Sequence, residues 1–136
     1  MPRLWLVAGA VLGFGGVAAG SFGAHGLKSL LEAGGQAATW ETAVRYCLFH
    51  ALALVLVGLA CSLPQAGPAR GLLAAAGWSF LAGTLVFSGC LAALAVTGVK
   101  PLGAIVPIGG VLLLVGWACL AAAGWTCGAA DIPGAD

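Results

Sequence analysis

Charge is what this sequence has least of. Of its 136 residues only 7% are Asp, Glu, Lys or Arg, where a soluble domain averages about a quarter. Such a chain cannot cover a globule with polar surface, so most of its surroundings must be lipid. It has no basic patch and a net charge of only +1, which gives nucleic acid nothing to hold. No stretch is long and polar enough to form a separate soluble domain. Catalytic patterns are missing too. There is no H-E-x-x-H, no G-x-S-x-G and no pair of Asp residues inside an apolar run, so the residues for metal-assisted or nucleophilic cleavage are not there. An enzyme is not expected. The five cysteines, Cys47, Cys61, Cys90, Cys119 and Cys127, fall in no C-x-x-C or His-spaced array. They read as small apolar packing residues, and neither a metal nor a cofactor is expected.

What is present is apolar length. The chain is 62% hydrophobic with a mean hydropathy of +1.11. It divides into spans at about 4–24, 40–62, 71–97 and 102–126, followed by a short tail, 127–136. Each span meets the roughly 20 residues needed to cross a bilayer. The expected fold is all-α: a single membrane domain, a small Gly/Ala-rich bundle of four transmembrane helices in the cell (inner) membrane. The N-terminus looks like a signal peptide, with Arg3 before an apolar run and small residues at Ala18 and Ala19. That run continues to Ala24, so it is read as a retained first span. Arg3 and Arg70 fall on one side of the membrane. Lys28 and Lys100 fall on the other, with Arg45 close to it, so the positive-inside rule leaves orientation open.

The small residues are patterned. Gly9, Gly13, Gly16, Gly20 and Gly23 step by four, three, four and three, which places them on one helix face. Small residues let helix backbones approach closely in lipid, so this face should dock on span two or span four. Ala43, Cys47, His50, Leu54, Val57 and Cys61 form a second such stripe. Ala75, Ser79, Ala82, Val86, Gly89 and Ala93 form a third. Lys28 to Ala33 suits a short interfacial helix stopped by Gly34 and Gly35. Thr39 is the expected N-cap of span two, with Glu41 and Thr42 in its first turn.

The polar groups gather in Trp40–His50, which reads WETAVRYCLFH. Ionisable residues in a membrane helix are costly and mark a packing node or a functional site. Glu41 and Arg45 have the spacing of an ion pair, expected to anchor the loop from span one. Trp40 and Tyr46 suit the interfacial belt. His50 lies ten residues past Trp40, about 15 Å along a helix. It is expected to bond a neighbouring helix through Ser88 or through the carbonyl that Pro107 frees. His25 is expected to cap the last carbonyls of span one. Ser79, Thr84 and Ser88 are expected to bond back to their own helix. Pro107, followed by Gly109 and Gly110, predicts a kink. The candidate node is therefore His25, Glu41, Arg45, Tyr46, His50, Ser88 and Pro107. His25 and His50 lie at different depths, which disfavours paired ligation of a haem.

Three stretches together, SFGAHGL at 21–27, ETAVRYCLFHALAL at 41–54, and FSGCLAALAVTG with PLGAIVPIGG between 87 and 110, resemble the domain of unknown function 423 family of small four-span integral membrane proteins. The resemblance covers essentially the whole chain. It implies the four-helix fold and a membrane location, and it carries no activity. Where the family's pattern usually has Gln, often Ser and usually Thr, this chain has Cys47, Cys90 and Val106. Those replacements weaken any mechanism that needs a continuous polar path.

The bilayer is the first partner. Small-residue stripes on three helices, more than one four-helix interior can use, favour a non-enzymatic accessory or assembly subunit that contacts a membrane protein or a second copy. A small-solute or proton transporter would need polar groups converging at mid-depth. Haem or quinone binding would rest on His50.

Overall fold

The computed structural model describes residues 1–129, with side chains as far as Cys127. The remainder of the expected tail, 130–136, lies outside the described residues. The chain forms α1 (Pro2–Ala24), α2 (Lys28–Ala33), α3 (Ala37–Ala60), a single 3-10 turn (Pro64–Ala66), α4 (Arg70–Thr97) and α5 (Pro101–Ala129), with no strand among the described residues. The four long helices are each apolar and long enough to cross a membrane. The expected all-α membrane bundle is the observed fold.

Element ends follow local chemistry. Proline opens α1 and α5, where its missing N–H would have had no partner anyway. Gly35 and Gly98 take the left-handed conformation, at φ 64° and 69°, which permits the turn after α2 and the stop of α4. One expectation fails here. Thr39 is not the cap of α3, because the helix begins at Ala37 behind Gln36, whose side chain makes no capping bond. The backbone closes this junction instead: Gln36 N–H donates to the Leu31 carbonyl at 2.8 Å, and the Gln36 carbonyl accepts from Trp40 N–H at 3.0 Å. Glu41 consequently lies past the first turn. At the other end of the chain, Cys127 is still helical and its thiol reaches the Gln65 carbonyl at 3.5 Å.

Packing runs from α1 to α3, α3 to α4 and α4 to α5. The glycine face of α1 docks on α3, the second span. A methyl built on Gly9 would lie 2.7 Å from the Ala51 carbonyl oxygen, and one on Gly16 would lie 2.7 Å from Leu48. Gly23 lies directly beneath the Trp40 ring. The contacts at these three positions are tight, and at Gly9 they are with backbone, while Gly13 and Gly20 have ordinary clearances of 3.8 and 3.4 Å. Between α4 and α5 the same device recurs with ring and glycine reversed: Gly116 of α5 admits Phe80, and Gly83 of α4 admits Leu113. Trp5, Ala53, Leu54, Val57, Ala76, Phe80 and Leu113 form the core. The small stripe of α4 is not part of it. Ala75, Ala82 and Gly89 are exposed, whereas the buried face carries Leu73, Ala76, Gly77, Phe80, Gly83, Thr84 and Ser88.

Candidate functional site

His50 is the fourteenth residue of α3 and is 5% exposed. Both of its ring nitrogens are engaged. Trp117 of α5 donates its indole N–H to Nε2 at 3.2 Å, and Nδ1 lies 2.8 Å from the Tyr46 carbonyl oxygen. An indole N–H can only donate, so Nε2 carries the lone pair and Nδ1 carries the proton. The ring is therefore the neutral Nδ1–H tautomer, donating to a carbonyl one turn back and accepting from another helix. This cross-helix bond ties the second span to the fourth at mid-depth.

Aromatic rings pack around the imidazole. Tyr46 stacks on it with centroids 5.9 Å apart, Phe80 is tilted at 5.6 Å, and Trp117 meets it edge-on at 6.1 Å. Phe80 and Trp117 make a T-shaped pair at 5.1 Å, and Phe87 tilts against Tyr46 at 4.5 Å. Such geometries are the favoured ones for ring quadrupoles. Beside them lies an open cavity of about 500 Å³, bordered by Tyr46, His50, Phe87, Pro107, Gly110 and Trp117. Chemically it offers one imidazole, with its bonds already made, and the phenol of Tyr46, in an otherwise largely apolar wall.

The expected node separates into three places. Tyr46, His50 and Pro107 do border one cavity. Ser88 does not join them; it lines a different crevice, between α1 and α4. The bond from His50 to Ser88, or to a carbonyl freed by Pro107, is therefore replaced by the bond to Trp117. Nor do Thr84 and Ser88 bond back to their own helix, since both hydroxyls are buried without a partner. His25, Glu41 and Arg45 lie in neither cavity and stay toward the end of the bundle where α1 passes through α2 to α3. The cap of α1 is the backbone N–H of His25, which bonds the Ser21 and Phe22 carbonyls, and the exposed ring takes no part. Arg45 and Glu41 pair at 2.9 Å with both side chains exposed, and among the described residues neither bonds to the loop from α1. That anchoring falls to Trp40, whose indole N–H donates to the Ala19 carbonyl at 3.0 Å. Trp40 is thus a clasp between α1 and α3.

Sequence reasoning passed over Trp117, Phe80 and Phe87. A signal for the first existed. Trp117 is residue 17 of the 29 in α5, far from either interface, and an indole N–H at that depth has no water to bond and must find a protein acceptor. No group of three His, Cys, Asp or Glu that could hold a metal occurs among the described residues.

Four apolar helices, an interior closed by glycine–ring contacts and a single cross-helix imidazole bond define a multi-pass integral membrane protein of the small four-helix kind. The family model described as Protein of unknown function (DUF423) matches residues 19–110, and the chain belongs to that family. It is 38% identical over 118 residues to a UPF0382 membrane protein of Staphylococcus aureus (strain bovine RF122 / ET3-1), covering 87% of this chain and 92% of the relative. It is 36% identical over 115 residues to the UPF0382 membrane protein YwdK of Bacillus subtilis (strain 168), covering 85% and 90%. No solved structure matches the chain.

Proposed function

We propose that this protein is a non-enzymatic accessory or assembly subunit, acting through helix–helix contacts with a membrane partner or with a second copy of itself. One observation carries the reading: half of the small stripe of α4 is exposed, and the rest of it, Ser79, Val86 and Ala93, is only half-buried. Ala75, Ala82 and Gly89 are exposed, and a side chain added at Gly89 would meet nothing within 4 Å. In lipid, small outward residues give another helix a place to approach closely, where dispersion and Cα–H contacts supply the attraction. None of the stripe belongs to the hydrophobic core of the bundle.

The cavity at His50 supports a second reading, passage of a small solute or proton, but its lining offers an imidazole whose bonds are already made and the Tyr46 phenol, where transport sites gather several converging polar groups. Ligation of haem by His50 would require breaking the bond to Trp117 or the one to the Tyr46 carbonyl. The test of the first reading is co-purification in mild detergent, joined to crosslinking in native membranes. With the native cysteines replaced, Ala82→Cys should give a covalent dimer or a heavier adduct under mild oxidation, and Phe14→Cys on the exposed face of α1 should not. Recovery of a monodisperse monomer alone, with no adduct from Ala82→Cys, overturns it.

A further inference from the structure

We propose that the crevice between α1 and α4 binds a lipid-soluble molecule whose uncharged head carries oxygen acceptors, the chemistry shared by isoprenoid quinones and diacylglycerols. This inference does not rest on the accessory-subunit reading: Gly89 borders both surfaces, but the occupant here lodges against Thr84 and Ser88, whereas a docking helix would lie along Ala75 and Ala82.

The crevice begins where α1 and α4 part. They meet at Trp5, whose ring lies over Gly77 and makes a T-shaped pair with Trp78 at 5.2 Å. Beyond that meeting point the gap holds a cavity of about 210 Å³, with Cys47 of α3 among the residues lining it. Gly15 of α1 and Gly89 of α4 also line it, and a side chain at either would meet nothing within 4 Å. Helix packing therefore does not demand glycine there. What the two glycines do is keep the gap wide.

Two hydroxyl-bearing residues line this gap. Thr84 is 1% exposed and Ser88 7% exposed, both line the cavity, and neither Oγ has a hydrogen-bond partner. Being four apart on one helix, they stand one above the other on the same face. The other polar groups of the lining are already spoken for: the Cys47 thiol bonds the Leu12 carbonyl at 3.5 Å, and the Trp40 indole bonds the Ala19 carbonyl at 3.0 Å. A buried hydroxyl left without a partner is costly in an apolar surround, and here two are left so in one place. Both oxygens are turned away from the open space as they stand, and a rotation about χ1, between staggered rotamers, would present them to an occupant with oxygen acceptors, which would satisfy both.

Depth selects the head. Thr84 stands 14 residues past Arg70 and 13 before Thr97, about 20 Å from either helix end at the rise of an α-helix. A charged headgroup does not descend to that level, so the head must be neutral. The walls are carbon, which suits an isoprenoid or acyl body continuing into the bilayer between α1 and α4. Trp40 and Val44 border both this cavity and a neighbouring one that carries Lys28, Glu32 and Glu41. The charged groups thus lie on the far side of the Trp40 clasp, and entry is lateral, from the lipid.

The test uses the full chain in detergent micelles with two probes added separately: a naphthoquinone bearing one isoprenyl unit and a diacylglycerol with dibrominated chains. Each quenches tryptophan fluorescence on approach, and Trp40 borders the cavity. Saturable quenching by one probe is expected, and which probe saturates assigns the source. The double variant Thr84→Val/Ser88→Ala should fold with undiminished thermal stability and bind at least tenfold more weakly. Gly89→Leu, which fills the gap without touching the hydroxyls, should abolish binding and gives a second arm if the double variant fails to fold. Quenching that never saturates with either probe, as when water alone occupies the gap, overturns the proposal. So does binding that is unchanged in both variants.

Discussion

The indole N–H of Trp117 and Nε2 of His50 are 3.2 Å apart across the interior, joining α5 to α3. Hydrogen bonds between membrane helices contribute about 0.6 to 2 kcal/mol, so Trp117→Phe should lower stability by roughly that amount. His50→Ala should cost more, about 2–4 kcal/mol, since it also empties space between Tyr46, Phe80 and Trp117. The measurement is a double-mutant cycle by thermal or denaturant unfolding in detergent. A coupling of about 0.6–1.7 kcal/mol is expected. Strict additivity of the two substitutions would show that the bond contributes nothing.

Adjacent glycines of α1 should behave oppositely. A methyl at Gly9 runs into backbone, the Ala51 carbonyl oxygen at 2.7 Å, and one at Gly16 runs into the end of the flexible Leu48 side chain at the same distance. Nothing lies within 4 Å of one at Gly15. Overpacking a tight contact costs about 1–3 kcal/mol. Gly9→Ala is therefore expected to cost most, Gly16→Ala less because Leu48 can turn away, and Gly15→Ala nothing or a slight gain from helix propensity. Equal effects at all three would mean that close approach of α1 and α3 is not what holds them.

These contrasts show what the sequence could and could not reveal. Four spans were legible because each is a long apolar run broken by Gly, Pro or charge, and the glycine stripe of α1 was legible because its four-three period is a property of one helix. The docking partner of that stripe was not, since any of the other spans also offers small residues. The partner of His50 was sought among polar side chains, Ser88 and the Pro107 break. It proved to be an indole, which a hydropathy reading counts as apolar although its N–H needs an acceptor. Thr84 and Ser88 were assigned to their own helix by local rules, yet their hydroxyls bond nothing there, and the two residues line a gap that exists only once α1 and α4 diverge from Trp5. Pairwise tertiary geometry of this sort leaves no periodic trace in a single chain.

The boundary groups should rank in an order that their charges would not suggest. Glu41 and Arg45 pair at 2.9 Å, with side chains 71% and 57% exposed, and exposed i,i+4 pairs contribute only about 0.3–0.5 kcal/mol. Trp40 makes one neutral bond to Ala19 and covers Gly23. Trp40→Phe should cost about 0.5–1.5 kcal/mol through the bond alone, more than Glu41→Ala or Arg45→Ala. Added salt should weaken the ion pair's small contribution and leave that of Trp40 unchanged. Stability curves of the three variants at low and high salt decide it, and a larger loss for either charge variant would restore the ion pair as the anchor of α3.

Pro107 and Gly109, two residues apart in α5, separate backbone chemistry from packing. Pro107 is exposed and has no N–H to offer the Gly103 carbonyl four residues back. Pro107→Ala restores that donor and removes a ring clash, so α5 should become more stable or stay unchanged. Gly109 is buried, and a methyl there would come within 2.8 Å of the Phe87 Cα. Backbone cannot swing aside as a side chain can, so Gly109→Ala should cost about 1–3 kcal/mol and push α5 away from α4. That movement would also disturb Phe87, which borders the His50 cavity with Tyr46. Unfolding midpoints of the two variants should therefore move in opposite directions or, for Pro107→Ala, not at all. If Pro107→Ala instead destabilises the bundle as much as Gly109→Ala, the proline is shaping α5 around the cavity, and the break it introduces belongs to the site.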